Sequence, residues 1–218
     1  VARLGRAYPA NRILQGRVIP VAPAGPAYDA TGAGGFSTGG SPTWTHSAAS
    51  GAYAVVGVVV NGGVTVSGVT YGGTSMAMLG NVPLNNIASN GSVYLYGLSN
   101  VSSGSKSIVV TPASACALMG NSVSYTGVTS VGAAQTAFGT GTSMSQSTTG
   151  GGSGAMTVQM FGSFASAAAT AYSGTQRSNV YNSSVAAEYV IGDSGTANKT
   201  FTATATSGPW GGAAVVLS

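Results

Sequence analysis

From about residue 43 onward, apolar and polar side chains exchange places at nearly every second position. Val64-Thr65-Val66-Ser67, Val93-Tyr94-Leu95-Tyr96 and Phe201-Thr202-Ala203-Thr204-Ala205-Thr206 show the period of two that sends one set of side chains inward and the other outward on a strand. Apolar or β-branched runs between glycine-, serine- and asparagine-rich breaks predict strands over 43–48, 53–61, 64–71, 75–79, 92–98, 105–111, 115–125, 143–148, 155–164, 185–191, 199–206 and 213–217. Many short strands with regular turn signals are the pattern of an antiparallel β-sandwich. The expected fold is therefore all-β: an antiparallel sandwich, jelly-roll-like, with an extended N-terminal arm. Helical periodicity is nearly absent. Only 161–172, with its alanines, has the propensity for a short helix, and its glycine and serine flanks fit strand plus loop equally well. Asn61-Gly62-Gly63, between two strong strands, predicts a hairpin.

The first thirty residues differ. They carry Arg3, Arg6, Arg12 and Arg17, no acid before Asp29, and prolines at 9, 20, 23 and 26. Proline-spaced sequence stays extended and needs another surface to lie against. The expected organisation is a docking arm over 1–30, a glycine-rich hinge over 31–42 and a sandwich domain over 43–218. Docking would fall to Arg3, Arg6, Arg12 and Arg17 through partner carboxylates, and to Leu4, Tyr8, Ile13, Leu14, Val18 and Ile19 as apolar anchors. Gly150-Gly151-Gly152-Ser153-Gly154 is a surface loop within the domain, since strands of one character flank it.

Charge sharpens the picture. Only 5% of the 218 residues are charged, against roughly 25% in an average soluble domain. A surface so poor in charge points to one covered in an assembly, with a homo-oligomer among the expected forms. The net charge of +4 resides in the arm, because Lys106, Arg177 and Lys199 balance Asp29, Glu188 and Asp193. With no clustered basic face on the body, nucleic-acid binding is not expected. No apolar signal-peptide core follows Arg3 and Arg6, and the longest apolar run, 52–60, is about half a membrane span, so no membrane association is expected.

Candidate chemistry is sparse. Cys116 is the single cysteine, so neither an intrachain disulfide nor a thiolate metal site can form, and its apolar neighbours place it as a small buried hydrophobe. His46 is the single histidine; with no nucleophile motif to serve, it reads as a strand surface or edge residue. Glu188, within an apolar alternation, is expected to pair with Arg177 or Lys199, and Asp193 to cap its own turn. No cofactor, metal site or catalytic residue is expected. Trp44, Tyr53, Tyr71, Tyr94, Tyr96, Tyr125, Tyr172, Tyr181, Tyr189 and Trp210 are expected to pack as core and cross-strand pairs, with a sugar-stacking platform as the alternative.

Two stretches carry a resemblance. Val66-Ser67-Gly68-Val69-Thr70-Tyr71-Gly72-Gly73, then Val93-Tyr94-Leu95-Tyr96-Gly97-Leu98, Gly104-Ser105-Lys106-Ser107-Ile108-Val109-Val110-Thr111 and Val123-Ser124-Tyr125-Thr126-Gly127-Val128 resemble a β-sandwich module of bacterial surface proteins and phage virion proteins. Arg3-Leu4-Gly5-Arg6-Ala7-Tyr8-Pro9 is similar to the opening of minor tail proteins in phages of actinobacteria. The resemblance implies a non-enzymatic virion component, a minor tail or tail-tip protein located in the phage particle, with other tail or capsid subunits as partners. A capsid decoration protein and a carbohydrate-binding module that meets host cell-surface glycan are the alternatives.

Overall fold

The computed structural model describes residues 25–196 and 198–218. These form fifteen strands in three antiparallel sheets: β1 (Ala27–Thr31), β2 (Gly35–Ser37), β3 (Thr43–Ala48), β4 (Ala52–Val60), β5 (Val66–Tyr71), β6 (Thr74–Ser75), β7 (Ala77–Pro83), β8 (Ser92–Val101), β9 (Gly104–Pro112), β10 (Leu118–Thr126), β11 (Gln135–Ser147), β12 (Met156–Ser163), β13 (Thr175–Asn182), β14 (Ala187–Ser194) and β15 (Thr200–Leu217). Two short 3-10 turns, Leu84–Asn86 and Ala88–Asn90, join β7 to β8. The all-β antiparallel expectation is met.

The sheets pack in a sandwich-like arrangement of three layers. The central sheet runs β1-β10-β4-β8-β7, with β2 beside β10; a four-stranded sheet runs β3-β9-β5-β6; a five-stranded sheet runs β11-β15-β12-β14-β13. β4 explains the stacking order. All nine of its residues are buried, and its parity divides them: Ala54, Val56, Val58 and Val60 join Trp44, Tyr71, Ile108 and Val110 of the four-stranded sheet, while Tyr53, Val55 and Val59 join Val158, Met160, Tyr189 and Ile191 of the five-stranded sheet. A continuous apolar run in a strand signals cover on both faces. The central sheet is the shared wall of two cores.

The outer face of the five-stranded sheet has its own cover. β15 pairs with β12 only from Trp210 onward, whereas its earlier part pairs with β11 at Thr200 to Thr204 and at Gly208 and Pro209, with Thr204 also bridged to Thr170. Pro209 thus stands where its missing N–H leaves no second neighbour unsatisfied. The β11–β15 ribbon changes register between Gly141 and Ser143 and folds back over its own sheet. Gln146 Nε2 accordingly donates to the Gln135 carbonyl, eleven residues earlier on the same strand. Met144, Phe201 and Ala203 from the folded part pack on Phe161 and Val190.

Three expectations change. Asn61-Gly62-Gly63 does turn the chain, with Gly62 at φ +63, but β4 pairs with β8 and β10 while β5 pairs with β9 and β6, so the turn is an arch between two sheets and not a hairpin. β10 and β8 occupy both edges of β4, which leaves no edge for β5. The boundary at residue 30 cuts through β1, which pairs with β10, and the 31–42 segment contains β2; both belong to the edge of the central sheet. The 161–172 stretch takes its strand-plus-loop alternative, with Thr170 bridged to Thr204.

Candidate functional site

Three groups of polar side chains lie between these layers. The first joins the four-stranded and central sheets. Even-numbered residues of β10 face the four-stranded sheet, which brings Ser122 and Ser124 under His46 of β3. Trp44 Nε1 donates to Ser122 Oγ (3.0 Å), Ser122 Oγ lies 2.8 Å from His46 Nδ1, His46 Nε2 lies 2.9 Å from Ser124 Oγ, and Ser124 Oγ donates to Asp29 Oδ2 (2.7 Å). The ends of this chain fix its direction. An indole can only donate and a carboxylate only accept. The Ser124 proton is committed to Asp29, so His46 Nε2 carries the ring proton and Nδ1 accepts from Ser122.

His46 is buried, not at the surface. Burial lowers its pKa, opposed by the Asp29 charge and a backbone contact at Ser122. The array is not a nucleophilic triad, because a serine stands between the carboxylate and the imidazole and the imidazole is not directly oriented by the acid. Ser122 and Ser124 are also buried completely.

The second group joins the central and five-stranded sheets at the end of β14. Arg177 of β13 donates through Nε to Asp193 Oδ2 (2.6 Å) and through Nη2 to Asp193 Oδ1 (3.1 Å), and Tyr125 of β10 donates to Asp193 Oδ2 (2.8 Å). The guanidinium also lies over the Tyr28 ring. Asp193 is therefore a buried interlayer acceptor and not a turn cap. Burial raises the Tyr125 hydroxyl pKa well above its ordinary value, and the Asp193 charge adds to the effect.

The third group lies on the outer face of the five-stranded sheet. Glu188 is buried and, among the described residues, takes one hydrogen bond, from Ser163 Oγ (2.7 Å), with no partner for its Oε2. The expected pairing with Arg177 or Lys199 is not made, because Arg177 is committed to Asp193 on the sheet's other side. Desolvation pushes the Glu188 carboxyl up to about 7, moderated by the Ser163 bond. Nearby, Tyr172 donates to Gln159 (3.0 Å) and Gln159 to Gln146 (3.2 Å).

No protein-family model, curated protein or solved structure matches the chain. The functional reading accordingly rests on the chain's own surface and buried groups.

The surface is apolar in patches. Phe36 is 50% exposed and Val180 is 37% exposed; both line a pocket of about 300 Å³ with Gly34, Met119, Asn182 and Tyr189, where the β2 edge of the central sheet meets β13. Gly34 is required there: its φ is +74, and a Cβ would sit 3.0 Å from the Tyr189 hydroxyl. Met78 and Phe138 are exposed on β7 and β11, at the opposite edge of the stack. Among the described residues, Tyr28, Phe36 and Phe138 are the exposed aromatics, and none was singled out by periodicity. β1 and β2 are short and bounded by glycine or proline, and Gly139 and Gly141 interrupt the alternation beyond Phe138 in the longer β11. Trp44, Tyr53, Tyr71, Tyr94, Tyr96, Tyr125, Tyr189 and Trp210 are buried, so these pack in cores. Cys116 is half-buried, and burial raises its thiol pKa.

The docking residues Arg3, Leu4, Arg6, Tyr8, Arg12, Ile13, Leu14, Arg17, Val18 and Ile19 lie outside the described residues. Among the described residues, no three of His, Cys, Asp and Glu cluster as a metal site would require, and no helix is long and apolar enough to cross a membrane.

Proposed function

We propose that this chain is a non-enzymatic structural component of a bacteriophage virion, a minor tail or tail-tip protein anchored by its N-terminal arm, with its stacked sheets facing outward. The observation that carries this reading is the withdrawal of acid groups from the surface. Glu188 and Asp193 are buried, and Asp29, half-buried, holds Ser124 and the Ala49 N–H. Among the described residues, what remains outside is glycine, serine, threonine, amide and scattered apolar side chains, with the partly exposed Lys106, Arg177 and Lys199 as the charges. Such an exterior gives a free monomer little protection against association and suits a protein packed among copies or partners. The histidine is held in a buried interlayer chain and the glutamate is buried under the outer cover of the five-stranded sheet, in keeping with a scaffold. The arm resemblance adds the tail location, and the four arginines without compensating acid would supply its attachment to a partner's carboxylates.

Deleting residues 2–20 tests the reading. The truncated chain should fold with an unchanged β-type circular dichroism spectrum and be lost from particles assembled with it. Incorporation at normal occupancy overturns the anchoring role. Cryo-electron microscopy of the intact particle places the protein directly: density on the capsid surface replaces the tail assignment with decoration, and absence from the particle removes the virion reading.

A further inference from the structure

We propose that two copies of this chain join edge to edge through β13, antiparallel about a two-fold axis, so that their five-stranded sheets continue into one another. The inference stands on the strand and its surroundings and does not require the tail location.

Among the described residues, β13 is an open edge of the stack, longer than β3 and β7, which end the other two sheets. At the other end of its sheet, β11 is covered by β7, so closely that a Cβ at Gly80 would run into Ala134. β1 is held at a corner with β3, where Ala33 N–H donates to the Thr45 carbonyl. β6 is two residues long. β13 has eight residues and, among the described residues, pairs with β14 alone. Natural edges are usually blunted by proline, lysine, a bulge or a covering segment. β13 has no proline or lysine, and its register shift lies at its start, between Gln176 and Ser178. Its one charge, Arg177, is turned inward onto Asp193 and Tyr28.

Apolar surface adjoins that edge. Val180 stands opposite Tyr189 in the ladder and so faces the central sheet. There, with Phe36, it lines the pocket of about 300 Å³. A strand laid along β13 would place every second side chain over this pocket, which is the arrangement by which strand addition gains both ladder bonds and side-chain recognition.

The occupant we assign is a second β13. The strip offers no free charge to an acidic or basic partner, and β13 is itself such a neutral strand. Antiparallel pairing of β13 with its copy about Asn179 sets Ser178 against Val180 and Arg177 against Tyr181, so like charges never meet. A two-fold contact of this kind closes on itself, as the commonest homodimers do.

Analytical ultracentrifugation of the full chain, with hydrogen exchange read at 178–182, tests the proposal. The wild-type chain should dimerise, with 178–182 losing protection on dilution. Val180→Lys and Phe36→Ser should each weaken dimerisation about tenfold or more, with the circular dichroism spectrum unchanged. A chain that stays monomeric over the accessible range overturns the proposal. So does a dimer that Val180→Lys leaves intact. Protection at 178–182 that ignores dilution but disappears on deleting residues 2–20 would assign the edge to the chain's own N-terminal segment, and also overturns it.

Discussion

The guanidinium carbon of Arg177 lies 3.5 Å from the centre of the Tyr28 ring, so one side chain of the five-stranded sheet grips the edge strand of the central sheet. The same guanidinium forms a two-pronged bond with Asp193, whose second role is to accept from Tyr125. The three contacts lock β1, β10, β13 and β14 together.

Removing one member of a buried ion pair leaves the other charge desolvated, at a cost of about 3–5 kcal/mol. Arg177→Met should therefore lower the unfolding free energy in urea by an amount in the lower part of that range, since Arg177 is partly exposed. Arg177→Lys should recover only part of the loss, because an ammonium can neither fork across both oxygens nor stack flat on Tyr28. Equal stability of the lysine variant and wild type would show that charge alone, without the fork, holds the layers.

His46 supplies a second test. A histidine whose folded pKa is below its unfolded value binds its proton more readily when unfolded, so stability is full above about 6.5 and falls as pH drops toward the folded pKa. Protonation also puts a donor on Nδ1, which now accepts from Ser122, and breaks the directed chain from Trp44 to Asp29. As the only histidine, His46 gives one imidazole titration by NMR. Its midpoint should lie below 6.5; a midpoint at or above that value would mean that the Asp29 charge outweighs desolvation.

Much of the layer structure was legible along the chain. β3 has the bounds that alternation predicts, and β4, β5, β8, β9, β10, β12 and β14 differ only at their ends, whereas β13 and the first half of β11 were not predicted and β15 joins two predicted strands. The third layer was signalled only by the unbroken apolar run of β4, which marks cover on both faces; which sheets supply that cover emerges only through parity in space. β1 and β2 were hidden by Pro26 and by the glycines around Phe36, which mark breaks in general but here frame short edge strands. The buried pairings were illegible for another reason. Arg177, Asp193 and Tyr125 are brought together by sheet stacking, and nothing in their spacing distinguishes Asp193 from Glu188 as the arginine's partner.

Close approach of strands gives a third test. A Cβ added at Gly120 would collide with the Gly57 carbonyl oxygen on the neighbouring strand and lie 3.2 Å from Val58 Cα. Backbone cannot yield as the tip of a side chain can. Gly120→Ala should destabilise by about 1–3 kcal/mol or more, in the range of overpacked cores. Gly68→Ala, where a Cβ meets nothing within 4 Å, is the matched control and should stay close to wild type in thermal unfolding.

The last test concerns Glu188, whose unpaired Oε2 shares the outer face of the five-stranded sheet with the unpaired Nε1 of Trp210, on either side of Ser163. With its carboxyl held up to about 7 by burial, Glu188 is more easily ionised in the unfolded chain than in the folded one. The protonated side chain is compatible with the fold; ionisation inside it costs about 1.4 kcal/mol for each unit of pKa displacement. Its contribution is therefore full below pH about 4.5, declines as pH rises toward 7, and is flat above. Glu188→Gln keeps an oxygen for the Ser163 hydroxyl and removes the titration. The glutamine variant should match wild type near pH 4 and exceed it above pH 7 in urea unfolding, the gap opening between. A constant difference across that window would mean that Glu188 ionises in the folded protein as readily as in water, through a counter-charge on the outer face of the sheet.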